Sequence, residues 1–354
     1  MNLTHTALIV AAYAATSAGS ALAAPIVVAS FPADDIDVPS TGATATITAS
    51  GIAGPVDGFG ITGLWTGVVR DDIDGIRPWP LDFGVTVTGP NGGGGTSPAP
   101  WFGDRSIVDY PVGDGFDFPG TDSPNGTWTI DLDSGNPAPW VAGLRNVTYH
   151  LLQDTDAEFV FSYTDNTQQG NSWNRPFFIA GISGLGPVDY QVLEFTVSAS
   201  GLYEFESDLA SESDHFTFLY QSSFDDTQPL ANLVDTGLGN GNSPFPVPRG
   251  ESDFEQLLFT GTTYFWVTSQ WARTSAFSDF TNTITGPGDV QPAASPCNVA
   301  DLAAPFGFVD LTDVDAFIAA FTAGDPAADI AIPFGFVDLS DVDAFIAAFL
   351  TGCP

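Results

Sequence analysis

The chain contains no lysine, a single methionine, three histidines and two cysteines in 354 residues. Its seven bases are all arginine and stand against 43 acids, for a formal net charge of -36. So few cations exclude nucleic acid and anionic membrane as partners, because both need a basic surface. The charge fits a chain kept soluble in salty water by solvated carboxylates. Past the N-terminal segment no apolar run is long enough to span a bilayer, so no membrane insertion is expected.

The shortage of nucleophiles and bases is equally restrictive. Only His150 and His215 lie beyond the N-terminal segment, and both cysteines sit near the C-terminus. Ser213-Asp214-His215 are consecutive, so on a strand they alternate between faces and cannot form a triad. There is no Gly-x-Ser-x-Gly elbow and no His-Glu-x-x-His helix. Both histidines are therefore expected to be structural or solvated. Paired carboxylates remain the one open catalytic route. Asp71-Asp72-Ile73-Asp74-Gly75 and Asp114-Gly115-Phe116-Asp117 are the candidates, although Asp-Gly is turn chemistry first and predicts turns or cation loops at both places.

What is abundant is Gly, Pro, Phe, Thr and Val, the composition of turn-rich antiparallel sheet. Leu8–Ala15 is apolar and precedes Ala21-Leu22-Ala23, an A-x-A cleavage pattern, so residues 1–23 read as a signal peptide. The mature protein is then expected to be secreted, at the cell surface. Residues 24–150 carry alternating segments at 43–50, 83–87 and 128–132, which predict a β-sandwich or jelly roll. Trp101 and Trp140 fall there in Pro-bounded loops, where an indole could stack on a sugar ring or plug the end of a sandwich. Residues 151–285 predict a second sandwich. Its segments at 192–197 and 202–206 flank Ser198-Ala-Ser-Gly201 and predict a hairpin. Residues 286–296 read as a linker. The fold class is thus mainly β, two antiparallel sandwiches followed by a small helical module at 297–354.

That module is one unit written twice. Asp301 to Phe321 returns almost letter for letter as Asp329 to Phe349. Leu311, Val314, Phe317, Ile318 and Phe321 form one apolar helical stripe, and Leu339, Val342, Phe345, Ile346 and Phe349 repeat it. Asp310 and Asp338 stand at N-cap positions, with Asp313 and Asp341 three residues on. Helices this short need each other, so the stripes should pack together. Cys297 and Cys353 flank the pair, and a disulfide between them would clasp its ends.

The duplicated stretch resembles a dockerin, most closely the variant with Gly-Cys ends found on surface-anchored proteins, matched here by Gly352-Cys353. The resemblance implies a cohesin-like or other cell-surface receptor as partner, a connection to extracellular polysaccharide, and calcium as cofactor. Dockerin loops carry oxygen ligands like those of EF-hands. Asp301, Asp310 and Asp313 take the first, ninth and twelfth places, as do Asp329, Asp338 and Asp341. Ala303, Phe306, Ala331 and Phe334 stand where further oxygens belong, in a loop one residue longer. Without metal these aspartates would cap helices, and the Pro-Phe-Gly-Phe segments would fill the core.

Two resemblances concern the sheets. Gly201-Leu-Tyr-Glu-Phe205, His215 to Asp225 and Gly261 to Thr268 are similar to the bacterial pre-peptidase C-terminal β-sandwich, which carries no catalytic residues. Val87 to Asn91-Gly92 with Asn125 to Asp131 resembles the P-domain jelly roll of proprotein-convertase-like proteases. The sequence thus describes a secreted, acidic, non-catalytic surface protein. A carbohydrate-active hydrolase with paired carboxylates, or a structural envelope protein, is the alternative.

Overall fold

The structure is a computed structural model that describes residues 24–68, 83–97, 109–121, 123–133, 141–155, 157–166, 171–177, 181–210, 215–238, 250–275, 279–293, 298–303, 309, 311–332 and 334–352. It divides into two compact units, residues 1–291 and 292–354.

The larger unit is all β. Its first half contains β1 (Ile26–Pro32), β2 (Ile36–Pro39), β3 (Ala43–Ala49), β4 (Val56–Val68), β5 (Gly84–Thr88), β6 (Gly94–Thr96), β7 (Asp109–Thr121), β8 (Gly126–Asp133) and β9 (Val141–Gln153). Strands β3-β8-β5-β6 form a four-stranded sheet. Strict alternation explains it. Ile47, Trp128, Ile130, Leu132, Val85 and Val87 point inward and are buried, while Thr44, Thr46, Thr48, Thr127, Thr86 and Thr88 are exposed on the other face. β-Branched threonine suits a pleated surface with one side in water. The inward side packs on Phe59, Ile61 and Trp65 of β4 and Leu144, Tyr149 and Leu151 of β9. Burial of these large side chains drives the packing. Trp65 meets Phe83 edge-on at 4.7 Å.

The second half contributes β10 (Phe159–Asn166), β11 (Ser172–Trp173), β12 (Val188–Val197), β13 (Gly201–Leu209), β14 (His215–Gln221), β15 (Leu233–Leu238), β16 (Glu251–Leu258), β17 (Tyr264–Gln270), β18 (Asp279–Gly286) and β19 (Val290–Pro292). Strand β19 falls inside the segment expected to be a linker, and it pairs with β12. Strands β11-β12-β17-β14-β15 form one sheet. The opposing layer, β10-β18-β13, continues through β1 into β9, β4 and β7, so a single nine-stranded sheet runs through both halves. The junction is narrow. Ile26 pairs with Gly201, and Leu202 N donates to Pro25 O at 3.0 Å. A Cβ on Gly201 would stand 2.3 Å from that same carbonyl, so only glycine lets the strands meet.

The hairpin expected around Ser198–Gly201 does not form. Strand β12 joins the six-stranded sheet and β13 the nine-stranded one. The four residues are a corner between layers, and Phe195 and Phe205 face each other across the core at 6.2 Å. Both strands alternate as a hairpin would, but their partners lie elsewhere in the chain. Strand β14 is buried on both faces, because Trp173, Tyr190, Phe224 and Trp271 cover its outer side. Arg175 is fully buried in that cover. Its guanidinium lies over the Phe216 ring at 4.3 Å and donates to Trp271 O through Nε at 3.0 Å. The carbonyls and the ring face take the place of a carboxylate.

The smaller unit holds two 13-residue helices, Leu311–Ala323 and Leu339–Thr351. Asp338 caps the second. Its side chain accepts from Ser340 N at 2.7 Å, and Asp338 N donates to Asp341 Oδ2 at 2.8 Å, a reciprocal capping box. Gly352 ends that helix at φ 69°, where glycine is the natural residue. Phe317 and Phe345 stack at 4.2 Å and 13°, one from each repeat. The stripes therefore meet as expected, but only in part. Leu311 and Leu339 are 77% and 76% exposed. Phe334 and Phe336 are also exposed, so the Pro-Phe-Gly-Phe segment of the second repeat does not fill the core.

Candidate functional site

Two places bring functional side chains together: the junction of the two β halves, and the duplicated module.

The junction rests on glycines that the sequence places at alternate positions. In β4 and β7, Gly58, Gly60, Gly113 and Gly115 share the face turned away from the first core, and the second half presses closely on Gly60 and Gly113. A Cβ on Gly60 would lie 2.6 Å from Leu257 Cδ1, and one on Gly113 would lie 1.7 Å from Gln256 Nε2. Asp114-Gly-Phe-Asp117 is therefore mid-strand in β7, and the turn or cation loop expected there is corrected. Phe116 fills the core, and Gly115 leaves room for Leu152 of β9 and the Phe59 carbonyl of β4. The other candidate run, Asp71 to Gly75, lies outside the described residues.

His150 sits at this junction, 2% exposed. Ser30 Oγ bonds its Nδ1 at 2.9 Å and Thr62 Oγ1 its Nε2 at 2.9 Å. The Phe259 ring lies 5.1 Å away. Burial with only hydroxyl partners pulls the imidazole down to about 4, so it is neutral at physiological pH. His215 is likewise buried, bonded through Nε2 to Ser207 Oγ at 2.9 Å, and pulled down to about 4. Each imidazole is buried and bonded to hydroxyls of neighbouring strands.

Carboxylates crowd the same region. Strands β13 and β16 pair Glu204 with Glu255, Glu206 with Asp253 and Asp208 with Glu251, three acid-on-acid rungs. Like charges directly opposed cost stability. Burial, then Glu204, Asp117 and Asp253, push Glu255 up to about 7. Asp114 is raised well above the carboxylate range by burial and then by Glu255. Asp154 is pushed up to about 6 by burial and then by Asp57 and Asp117. Sequence reading named Asp114 and Asp117 but not Glu255, whose proximity depends on strands far apart in the chain.

In the module the aspartates mostly bind backbone. Asp341 is fully buried; its Oδ1 accepts from Ile330 N and Ala331 N, both at 2.8 Å. The Asp338 N–H foremost, then those of Ala331 and Ile330, hold its carboxyl below the usual range. In the first repeat Asp313 Oδ1 makes the matching bonds, accepting from Leu302 N at 2.7 Å and Ala303 N at 2.8 Å. Asp301 is buried as well. Asp329 Oδ2 accepts from Gly335 N, leaving Oδ1 buried with no hydrogen bond. Calcium needs six to eight oxygens. The second loop offers one open buried carboxylate oxygen, with Ala331 and Phe334 at two ligand places, and this donor set does not fit an EF-hand cage. Among the described residues no three carboxylates, histidines or cysteines converge as a metal-binding group. Asp310, Cys297, Cys353, Trp101 and Trp140 lie outside the described residues.

Between the two helices runs a wholly apolar groove of about 330 Å³, lined by Val314, Phe317, Ile318, Val342, Phe345 and Ile346 among others. Its lips repeat like its floor: Ile318 is 54% exposed and Ile346 49%.

No protein-family model matches the chain, and no curated protein matches it. Several solved structures are similar at low level. A protein from Eubacterium rectale thought to be secreted is 10% identical, over 72% of this chain and 74% of that one, with a TM-score of 0.19. The tandem CBM22-1-CBM22-2 domain from Paenibacillus barcinonensis Xyn10C is 11% identical, over 78% and 100%, with a TM-score of 0.23. N-glycanase F is 9% identical, over 74% and 98%, with a TM-score of 0.19. Likenesses of this size carry no argument about what the chain binds or does. No described helix is long and apolar enough to cross a membrane.

Proposed function

We propose that the chain is a secreted, non-catalytic surface protein. Its C-terminal unit docks into a cohesin-like receptor, and its β body meets extracellular polysaccharide. One observation carries the docking half: both repeats leave the same apolar residues in water, Leu311 with Leu339 and Ile318 with Ile346. A unit this small would bury such side chains if its own core could use them, and doubled exposure suits a partner's surface. The test compares the full chain with one ending at Gln291 for retention on immobilised cohesin domains and on cell-surface extract. Retention of the full chain alone supports docking; equal retention of both contradicts it.

A second reading has its own observation. Asp114 interacts electrostatically with Glu255, and a buried carboxyl held protonated in this way is what a hydrolase's general acid requires, with the other carboxylate ionised as base. Hydrolysis of a soluble polysaccharide that disappears in Asp114→Asn and Glu255→Gln would favour that reading over the non-catalytic one.

A further inference from the structure

The junction of the two β halves encloses a cavity of about 430 Å³, within the range of small-molecule sites. Thr62, Thr148, His150, Gln221, Gln256 and Phe259 line it, from both halves of the body. In a chain of net charge -36 its lining contains no carboxylate. It is uncharged, and it mixes hydroxyls and amides with apolar side chains.

We infer that this cavity is a binding site for one neutral sugar ring of a polysaccharide. Hydroxyls and amides that both donate and accept match the mixed polarity of sugar hydroxyls. His150 fixes two of them. One ring nitrogen donates and the other accepts, so Ser30 and Thr62 are held in complementary roles at 2.9 Å each. Gln256 is 7% exposed, and its amide makes one long contact, Nε2 to Leu257 O at 3.5 Å. A sugar hydroxyl would supply the partner that this geometry withholds. Phe259 and Leu257 add apolar surface for the C–H face of a ring. An anionic sugar would find no cation in the lining to pair with. An apolar ligand would strand the amides and hydroxyls without partners. His150 is a positioning residue here; Gln256 and Thr148 would touch the ligand.

The inference rests on the carbohydrate half of the proposal above and is independent of its docking half. Saturation-transfer NMR on the full chain, with the methyl glycosides of glucose, galactose, xylose and mannose, tests it. Methyl glucuronide serves as the anionic control. At least one neutral glycoside should show transfer to its ring protons, and the glucuronide none. Gln256→Leu should weaken binding about tenfold or more, as loss of a buried hydrogen-bonding group does. Gln221→Ala, at the exposed rim, should weaken it less while leaving the fold unchanged. If Gln256→Leu fails to fold, the Gln221 variant decides. Silence across the whole neutral panel overturns the inference, as does equal transfer to the glucuronide or unchanged binding in the folded variants. None of these outcomes alters the retention assay, which reads docking separately.

Discussion

Asn298 holds Gly352: its Nδ2 donates to the Gly352 carbonyl at 3.0 Å and to Ala348 O at 3.2 Å. These residues are the chain neighbours of Cys297 and Cys353. The first and last turns of the C-terminal unit are therefore tied together where a disulfide would close it.

The first prediction is that the two sulfurs are bonded. Thiol titration of the unfolded, unreduced protein should find no free cysteine. Reduction should destabilise the unit by about 2–5 kcal/mol, the usual effect of removing a disulfide from a small domain. Two free thiols in protein secreted into an oxidising medium would contradict this.

The Phe317–Phe345 stack should dominate the core of the C-terminal unit. Phe345→Ala removes a buried ring and should cost that unit about 3–5 kcal/mol, read as proteolysis confined to residues beyond 292. Asp341→Ala should act similarly by stranding three backbone N–H groups. Chelator should leave the helical signal unchanged, because the carboxylates of Asp313 and Asp341 already satisfy the loops. A calcium-dependent rise in Tm would show that the loops take up the ion after all.

Stability should peak below neutral pH. Glu255 and Asp154 have folded values of about 7 and about 6, above their unfolded ones, and Asp114, Glu204, Glu206, Glu251 and Asp253 are also raised. Such groups add stability that is complete below pH about 4 and is lost as pH rises through the folded value. His150 and His215 oppose them. Their depressed values add stability that is present above pH about 6.5 and lost as pH falls to about 4. The carboxylates are more numerous, so Tm should rise from pH 8 to about 5.5 and fall below about 4.5. Calorimetry across that range checks it; a Tm that climbs from pH 5.5 to 8 would contradict it. Glu206→Thr, which removes the charge opposite Asp253, should raise stability at pH 8 by about 0.2–1 kcal/mol.

Gly60→Ala should loosen the junction. The added carbon meets Leu257 at 2.6 Å and Asp114 O at 3.1 Å, and overpacking of this kind costs about 1–3 kcal/mol. Gly51→Ala faces no neighbour within 4 Å, so any cost there comes from its φ of 76° alone. Urea denaturation of both separates clash from backbone strain.

Local chemistry was legible where it was local. The helical stripes, the Asp338 cap and strands such as Ala43–Ala49 and Gly126–Asp133 follow from spacing that needs no distant partner. The sheet assignments were not. Val192–Val197 and Leu202–Glu206 alternate as hairpin strands do, and nothing within them says that their partners are Trp266 and Phe254 rather than each other. Asp114-Gly115 looks like a turn because the strands that hold it mid-sheet and leave no room beside its glycine, β4 and β9, lie elsewhere in the chain. The cavity was invisible for the same reason. Thr62, His150 and Gln256 belong to three strands and carry no shared motif.

The most direct test of the account replaces the paired exposed leucines of the C-terminal unit. The double variant Leu311→Lys, Leu339→Lys changes side chains that the unit's own core does not bury, so its helical circular dichroism should match wild type. The account predicts that this folded variant is no longer retained by the receptor that holds the full chain. Undiminished retention would contradict it.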